Sequence, residues 1–488
     1  MQLVLALIAH TNVGKTALAR TLLARDIGEV RDAPHVTEFV EEALLLREPE
    51  AGHELVIADT PGFGDSRRLV ARMRVQGQPV GWFLSQVWDR WRDRAFWGSQ
   101  QALREVRVRA HAVLYLVNAS EGEAGHLEPE MELLAWLGRP VVVLLNQLGP
   151  PRAPDVEAAE LQQWRERLRR WPAVRDVLSL DAFARCWVQE AALWEVVQAV
   201  LSTADERLAM AALARAWQRR AEATFDASMA VVADTLAGTL LTQVPLEDDE
   251  RARAALVERA EADAQRCTGE LLVLHGLSGR AEGDVMRQLA PHAGWHRRIG
   301  EGRAAVLGGA LSGALAGLKA DIATGGLTLG GGLLAGGVIG ALGAAGLARG
   351  LNLARGTSRS LAAWPAEALR PMVEVALLRY LAVAHHGRGR GDWAETEAPA
   401  HWAGAVQQAL QRREPDWRAL AERTARRARQ KDEAGSGARA DAHDDIRAGL
   451  QPLLTAAAAD VLRALYGRGP AGRQAAPTGA PPAAQSPG

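Results

Sequence analysis

The chain has 488 residues, room for two or three domains with cores of their own. Its formal net charge is −1, so no overall basic field points to nucleic acid. Cys186 and Cys267, the only cysteines, make neither a disulfide framework nor a metal-spacing motif, and read as buried free thiols of a reducing compartment.

The N-terminus, "MQLVLALIAHTNVGK", is apolar but lacks a basic leader and a small-residue cleavage site. It reads as the first strand of a cytoplasmic fold, with 3–8 buried on both faces of a parallel sheet. A helix over 15–24 follows. Strands are then expected at 36–46 and 53–59, joined by a turn, and at 111–119, 139–147 and 177–183. Helices over 99–108, 128–137, 154–171 and 186–201 separate the later strands. Strands alternating with helices predict an α/β domain with a mostly parallel sheet over 1–203. From about residue 205 strand signals vanish, and helices are expected over 205–241, 249–274, 363–384, 402–412 and 414–432. This predicts an all-α domain over 204–466, with a loop at 385–399. A low-complexity, disordered tail follows at 467–488.

Ala9 to Thr16, "AHTNVGKT", fits the phosphate-loop pattern G-x-x-x-x-G-K-[ST] except that Ala9 replaces the first glycine. It follows an apolar strand and opens a helix, the context that the motif requires. Backbone N–H groups along Asn12, Val13, Gly14, Lys15, Thr16 and Ala17 are expected to hold phosphate oxygens. Gly14 permits close backbone approach, Lys15 reaches the β- and γ-phosphates, and the Thr16 hydroxyl binds Mg²⁺. A second motif, Asp59-Thr60-Pro61-Gly62, closes an apolar strand 44 residues after Lys15. Asp59 is expected to hold Mg²⁺, usually through water, and the Gly62 N–H to sense the γ-phosphate. Between them Thr37 is either a mobile-loop threonine that caps Mg²⁺ or an ordinary strand threonine.

"TNVGKT" followed by "DTPG" resembles the Era- and TrmE-like bacterial GTPases of the P-loop class, over about residues 1–203. The whole chain also resembles a bacterial family in which such a domain precedes a C-terminal domain of unknown function, where "LLNQ" (144–147) and "LDAFARCWVQE" (180–190) recur. The resemblance implies a GTP- and GDP-binding, Mg²⁺-dependent hydrolase with Lys15, Thr37 and Gly62 at the chemistry. Two departures stand out. Phe63 takes the place of a water-orienting glutamine, so hydrolysis is expected to be slow. It would need charge from K⁺, a partner's arginine or a dimer contact. In potassium-activated relatives the residue matching Asn12 helps hold the cation; otherwise Asn12 only stabilises the loop. At the base-reading motif N-K-x-D, Asn146 matches, but Gln147 and Gly149 replace the lysine and the guanine-reading aspartate. Losing a paired hydrogen bond weakens base discrimination. Asp181 is a candidate to approach the base or to cap a helix.

In "GWFLSQVWDRWRDRAFW" (81–97), Leu84, Trp88, Trp91 and Ala95 fall on one helical face, with Arg90, Arg92 and Arg94 alongside. This is either a helix packed on the sheet or a switch element facing a partner or membrane. The segment 304–351 is glycine-rich, and 322–348 holds 27 residues without a charge, beyond the roughly 18–20 that suggest a membrane span. Gly309, Gly313 and Gly317 repeat every four residues, as do Gly332, Gly336 and Gly340. Basic residues flank both ends, suiting a hydrophobic hairpin with cytoplasmic ends at the inner face of the cell membrane. Lys319 and Asp321 interrupt it, which leaves a buried glycine-zipper pair or a loop as the other readings. His292 and His296 lack a third metal ligand, and "DAHDD" (441–445) reads as a solvated charge run. The leading expectation is a slow GTPase that couples nucleotide state to a membrane or a protein partner. An ATPase and a non-catalytic nucleotide-binding membrane scaffold are the alternatives.

Overall fold

The computed structural model describes residues 1–10, 13–23, 40–63, 65–86, 93–120, 125–148, 154–180, 186–245, 249–277, 361–386, 400–430 and 436–470. Asn12, Thr37, Trp88, Trp91, Gly149, Asp181, the His292–His296 pair, the segment 304–351 and the tail beyond 470 lie outside them.

Six strands make the main sheet: β1 (Gln2–Ala9), β2 (Glu41–Glu48), β3 (His53–Asp59), β4 (Ala112–Asn118), β5 (Val141–Asn146) and β6 (Val174–Ser179). Their spatial order is β2-β3-β1-β4-β5-β6, with β2 antiparallel to β3 and every other pair parallel. β1, β4 and β5 are buried nearly throughout, which is why their sequences run apolar without alternation. β2 is an edge strand that turns Ala43, Leu45 and Leu46 inward and Glu41, Glu42, Leu44 and Arg47 outward, with a register shift between Leu44 and Leu46. Of the strand expected at 36–46, residues 36–39 lie outside the described residues, and β2 runs on to Glu48.

The helices of this part are α1 (Lys15–Leu23), α2 (Ser66–Arg74), α3 (Pro79–Ser85), α4 (Arg94–Val108), α5 (Leu127–Leu137), α6 (Pro154–Leu168) and α7 (Trp187–Val200). Leu3, Leu5 and Leu7 of β1 join a core with α1 and α7, while Ala6 and Ile8 join the opposite core with residues of α2 to α6.

The segment 81–97 is not one continuous helix. α3 ends where Gln86 turns extended (φ −76°, ψ 152°), and the chain restarts as α4 at Arg94. Leu84 and Ala95 therefore sit on different helices. Buried Gln100 secures the break: its amide donates to the Phe83 and Gln86 carbonyls at 3.0 and 2.8 Å, satisfying acceptors that a helix end leaves open.

Among the described residues the rest is mainly helical: α8 (Ala204–Leu240), α9 (Asp249–Leu274), α10 (Leu369–Ala384, entered through a 3₁₀ turn at Ala366–Ala368), α11 (Ala400–Gln411), α12 (Glu414–Gln430) and α13 (Ser436–Tyr466). Two features depart from the sequence reading. A short antiparallel ribbon pairs β7 (Gln243–Pro245) with β8 (Leu361–Ala363), three residues a side and too short to show alternation. The other is α13 itself, for which no helix was expected; the charge run 441–445 lies on it with Asp441 and Asp444 exposed, as a solvated run should be, and Asp445 accepts from Arg427 at 3.1 Å. Cys186 and Cys267 are free and buried.

α8 packs against α7, α9, α10 and α13, and also against β1, β2 and β3. One hydrophobic core therefore runs from Leu3, Leu5 and Leu7 through Trp194 and Trp217 to Tyr380 and Leu462. Among the described residues no helix is long and apolar enough to cross a membrane.

Candidate functional site

Parallel pairing places Leu7 beside Asp59, so β1 and β3 deliver both motifs to the same, carboxyl-terminal edge of the sheet. Crevices at that edge are where open α/β sheets bind ligands. The strands stay joined beyond their ends. The Thr60 hydroxyl donates to the Leu7 carbonyl at 2.7 Å and the Phe63 N–H to the Ala9 carbonyl at 3.0 Å. This holds the D-x-x-G turn against the loop entrance, with Gly62 buried within it.

α1 begins at Lys15, and Leu18 N–H donates to the Gly14 carbonyl at 2.9 Å. Gly14 has φ +90°, and a Cβ there would lie 2.9 Å from Asn146 Nδ2. Both the backbone sign and the close approach require glycine. Asn146 is fully buried at the end of β5 and donates through Nδ2 to the Val13 carbonyl at 2.7 Å. The one matching residue of the base-reading motif thus braces the phosphate loop. Gln147 next to it has φ +55°, rare for a residue with a side chain. Its Nε2 lies 3.9 Å from the position of a Gly14 Cβ, so the side chain that replaces the motif lysine reaches the phosphate loop.

Lys15, Thr16 and Asp59 converge. Thr16 Oγ1 donates to Asp59 Oδ2 at 2.6 Å, and Asp59 Oδ1 is buried without a hydrogen-bond partner. Burial depresses the Lys15 ammonium below its ordinary range, partly offset by Asp59 and Glu130. Burial likewise raises the Asp59 carboxyl, against the pull of Lys15 and the Thr16 hydroxyl. Two charges removed from water at the mouth of a phosphate loop are compensated by opposite charge. A polyphosphate beside Lys15 and a dication beside Asp59 would supply it. The hydroxyl and the uncommitted carboxylate oxygen are hard oxygen donors of the kind Mg²⁺ takes alongside water and phosphate. These residues fit a magnesium nucleotide. Ala17 is buried on the next residue of α1, within the core.

Phe63 is fully buried in the core that holds Leu69 and Val70 of α2, and its side chain carries no group that orients water. α4 lies against the same turn: a Cβ on Gly98 would meet Pro61 at 3.4 Å. The sequence reading missed one cluster. Glu130 of α5 is fully buried and receives His10 Nδ1 at 2.7 Å and the Tyr115 hydroxyl at 2.6 Å. A signal for it was present, since Glu130 falls among Leu127, Met131 and Leu134 at spacings of three, one and three, an acid on an apolar helix face.

Residues 4–147 match the family model described as 50S ribosome-binding GTPase, and residues 294–455 match a domain of unknown function, DUF3482. The GTPase Der of Deinococcus deserti is 26% identical over 159 residues, covering 32% of this chain and 29% of that protein. The chain thus spans under a third of that curated relative's length. Solved structures that align include Aquifex aeolicus Era bound to GDP and aluminium fluoride, at 14% identity over 56% of this chain and 90% of that one, TM-score 0.31. Another is Era with MgGDPNP and a 16S ribosomal RNA segment, at 16% identity over 41% of this chain and 57% of that one, TM-score 0.30. The sheet order, the two loops and the family match give the N-terminal part a mostly parallel P-loop GTPase fold, followed by a helical region.

Proposed function

We propose that this chain is a Mg²⁺-dependent GTP hydrolase of low intrinsic rate, whose nucleotide state is passed to a helical region that meets a membrane or protein partner. The carrying observation is the buried trio of Lys15, Thr16 and Asp59, with the threonine hydroxyl on one carboxylate oxygen and the other uncommitted. In this reading Thr16, Asp59 and Thr37 serve the Mg²⁺. When bound, the ion would neutralise charge on the β- and γ-phosphates. Lys15 stabilises charge on the transferring phosphoryl group, and the Gly62 N–H senses it.

Phe63, turned into the core, offers nothing to the attacking water. Catalytic charge must then come from elsewhere: K⁺ held with the help of Asn12, a partner's arginine, or a second copy. Guanine is the base that the family match supports. Gln147 and Gly149 in place of the lysine and aspartate favour the competing reading of an ATPase. α8, packed on β1, β2 and β3, supports a route from the switch strands to the helices, and the uncharged run within 304–351 supports a membrane as partner.

The test is binding and turnover of GTP and ATP by the full chain, in potassium and in sodium, with and without liposomes. Slow Mg²⁺-dependent GTP turnover that disappears in Lys15→Ala and Thr16→Ala is expected. Equal turnover in Lys15→Ala would sink the hydrolase reading. Binding without turnover in any salt would leave the scaffold, and ATP preference would change the base.

A further inference from the structure

Glu130 is surrounded by the core formed by Ile8, Phe63, Tyr115, Met131 and Leu134. A carboxylate there is costly unless hydrogen-bonded, and an apolar side chain of similar volume would often pack as well or better. Stability alone therefore gives little reason for an acid at this place. What the acid does is bind two neighbours. Ile8 of β1 pairs with Tyr115 of β4, and His10 follows two residues on, just past the end of β1. One carboxylate of α5 reaches both: His10 Nδ1 at 2.7 Å and the Tyr115 hydroxyl at 2.6 Å.

His10 is the second residue of the phosphate loop. Its ring is held on one edge by Glu130 and on one face by His126, stacked at 3.9 Å with 10° between the planes. A carboxylate only accepts, so it requires a proton on His10 Nδ1 and fixes both ring orientation and tautomer. The backbone at His10 is in turn bridged to Phe63, just after the D-x-x-G turn. The start of α5 also receives the helix beyond that turn, through Arg67 Nε donating to the Gly125 carbonyl at 2.9 Å.

We infer that Glu130 is a positioning residue: by holding the His10 imidazole it sets the phosphate-loop entrance in the form that accepts the nucleotide. This rests on the nucleotide-binding reading above. Glu130 touches no phosphate itself and acts through His10.

The experiment uses the full chain, a fluorescent GTP analogue with Mg²⁺, and melting temperature as a parallel readout. His10→Ala should weaken binding about tenfold, the scale of one charge-assisted hydrogen bond, and Glu130→Gln, whose amide oxygen still accepts from Nδ1 but without the charge, should weaken it about threefold. The double variant should be no weaker than His10→Ala, because both substitutions act on the same link. His10→Asn places an amide donor near the former Nδ1 and should recover affinity to within about threefold of wild type. Tyr115→Phe removes the other bond to the same carboxylate, and should lower the melting temperature while leaving affinity within about twofold. Additive losses, equal affinity in His10→Ala and His10→Asn, or affinity that merely follows melting temperature through all variants including Tyr115→Phe would overturn the role. If Glu130→Gln does not fold, the part-exposed His10 pair decides alone. Wild-type protein that binds neither GTP nor ATP would overturn the nucleotide reading and this role with it. Wild-type binding with His10→Ala and Glu130→Gln unchanged would overturn this role only.

Discussion

Gly14 condenses the chemistry of the site into one residue. Its φ of +90° and the 2.9 Å between a would-be Cβ and Asn146 Nδ2 mean that alanine strains the backbone and displaces the brace on Val13 together. Gly14→Ala should cost roughly 1–3 kcal/mol in urea unfolding. It should also weaken nucleotide binding more than ten times, because the loop N–H groups lose their alignment. A variant as stable and as tight-binding as wild type would show that the loop does not hold this conformation. Gly14, Lys15, Thr16 and Asp59 were legible because their chemistry forces residue type, spacing and element order at once. Asn146 was legible as a base reader, yet the structure gives its amide to the loop backbone, a contact across more than a hundred residues that no local pattern carries. Glu130 left a mark in the sequence, an acid on an apolar face, but its partners lie on β4 and just past the end of β1.

Elements were legible where one force dominates. β1, β3, β4 and β5 are apolar because parallel strands are buried on both faces, and their bounds shifted by at most a residue or two. The segment 81–97 misled because helical spacing says nothing about whether the backbone continues. Gln100, from the next helix, stabilises the break. α13 was hidden by its own composition, with Gly437, Gly449 and Pro452 inside 31 residues. It forms because its apolar positions, from Ile446 through Leu462, are buried against α8 and its neighbours, and tertiary packing outweighs propensity. α8 had the clearer signature. The Thr203 hydroxyl accepts from Glu206 N–H at 3.1 Å, and Glu206 Oε2 accepts from Thr203 N–H at 3.0 Å, a reciprocal capping box. Thr203→Ala should therefore cost about 1 kcal/mol in denaturant unfolding. Thr203→Ser should cost nothing measurable, since it keeps the oxygen. Equal losses in both would place the effect in packing rather than in the cap.

The whole molecule differs most from what residue patterns suggest, because α8 lays the helical region directly on β1, β2 and β3 and the core does not stop at residue 203. Events deep in the helices should thus be felt by the sheet. His385 offers a way to see this. It is buried, its Nδ1 donates to the Leu381 carbonyl at 2.6 Å, and its ring lies 4.5 Å from Trp402 and 5.5 Å from Tyr466. Nε2 has no hydrogen-bond partner, so a second proton would be buried unpaired. Burial accordingly lowers its pKa from the ordinary 6.5 to about 4. The unfolded chain takes up that proton below about pH 6.5 and the native chain does not. Stability from this residue is therefore complete above pH 6.5 and declines as pH falls toward 4, by about 2 kcal/mol at pH 5. Urea titrations at pH 7 and pH 5 should show that loss, and His385→Leu should remove it even if its stability at pH 7 is lower. His111 and His401 are shifted in the same direction, so the difference between wild type and variant isolates His385. Continuity of the core adds a second requirement. The acid-induced loss should appear at the same urea concentration in far-ultraviolet circular dichroism and in a nucleotide-release assay that reports on the sheet. Release that keeps its pH 7 midpoint while the helices unfold early at pH 5 would mean that α8 does not bind the two regions into one cooperative unit.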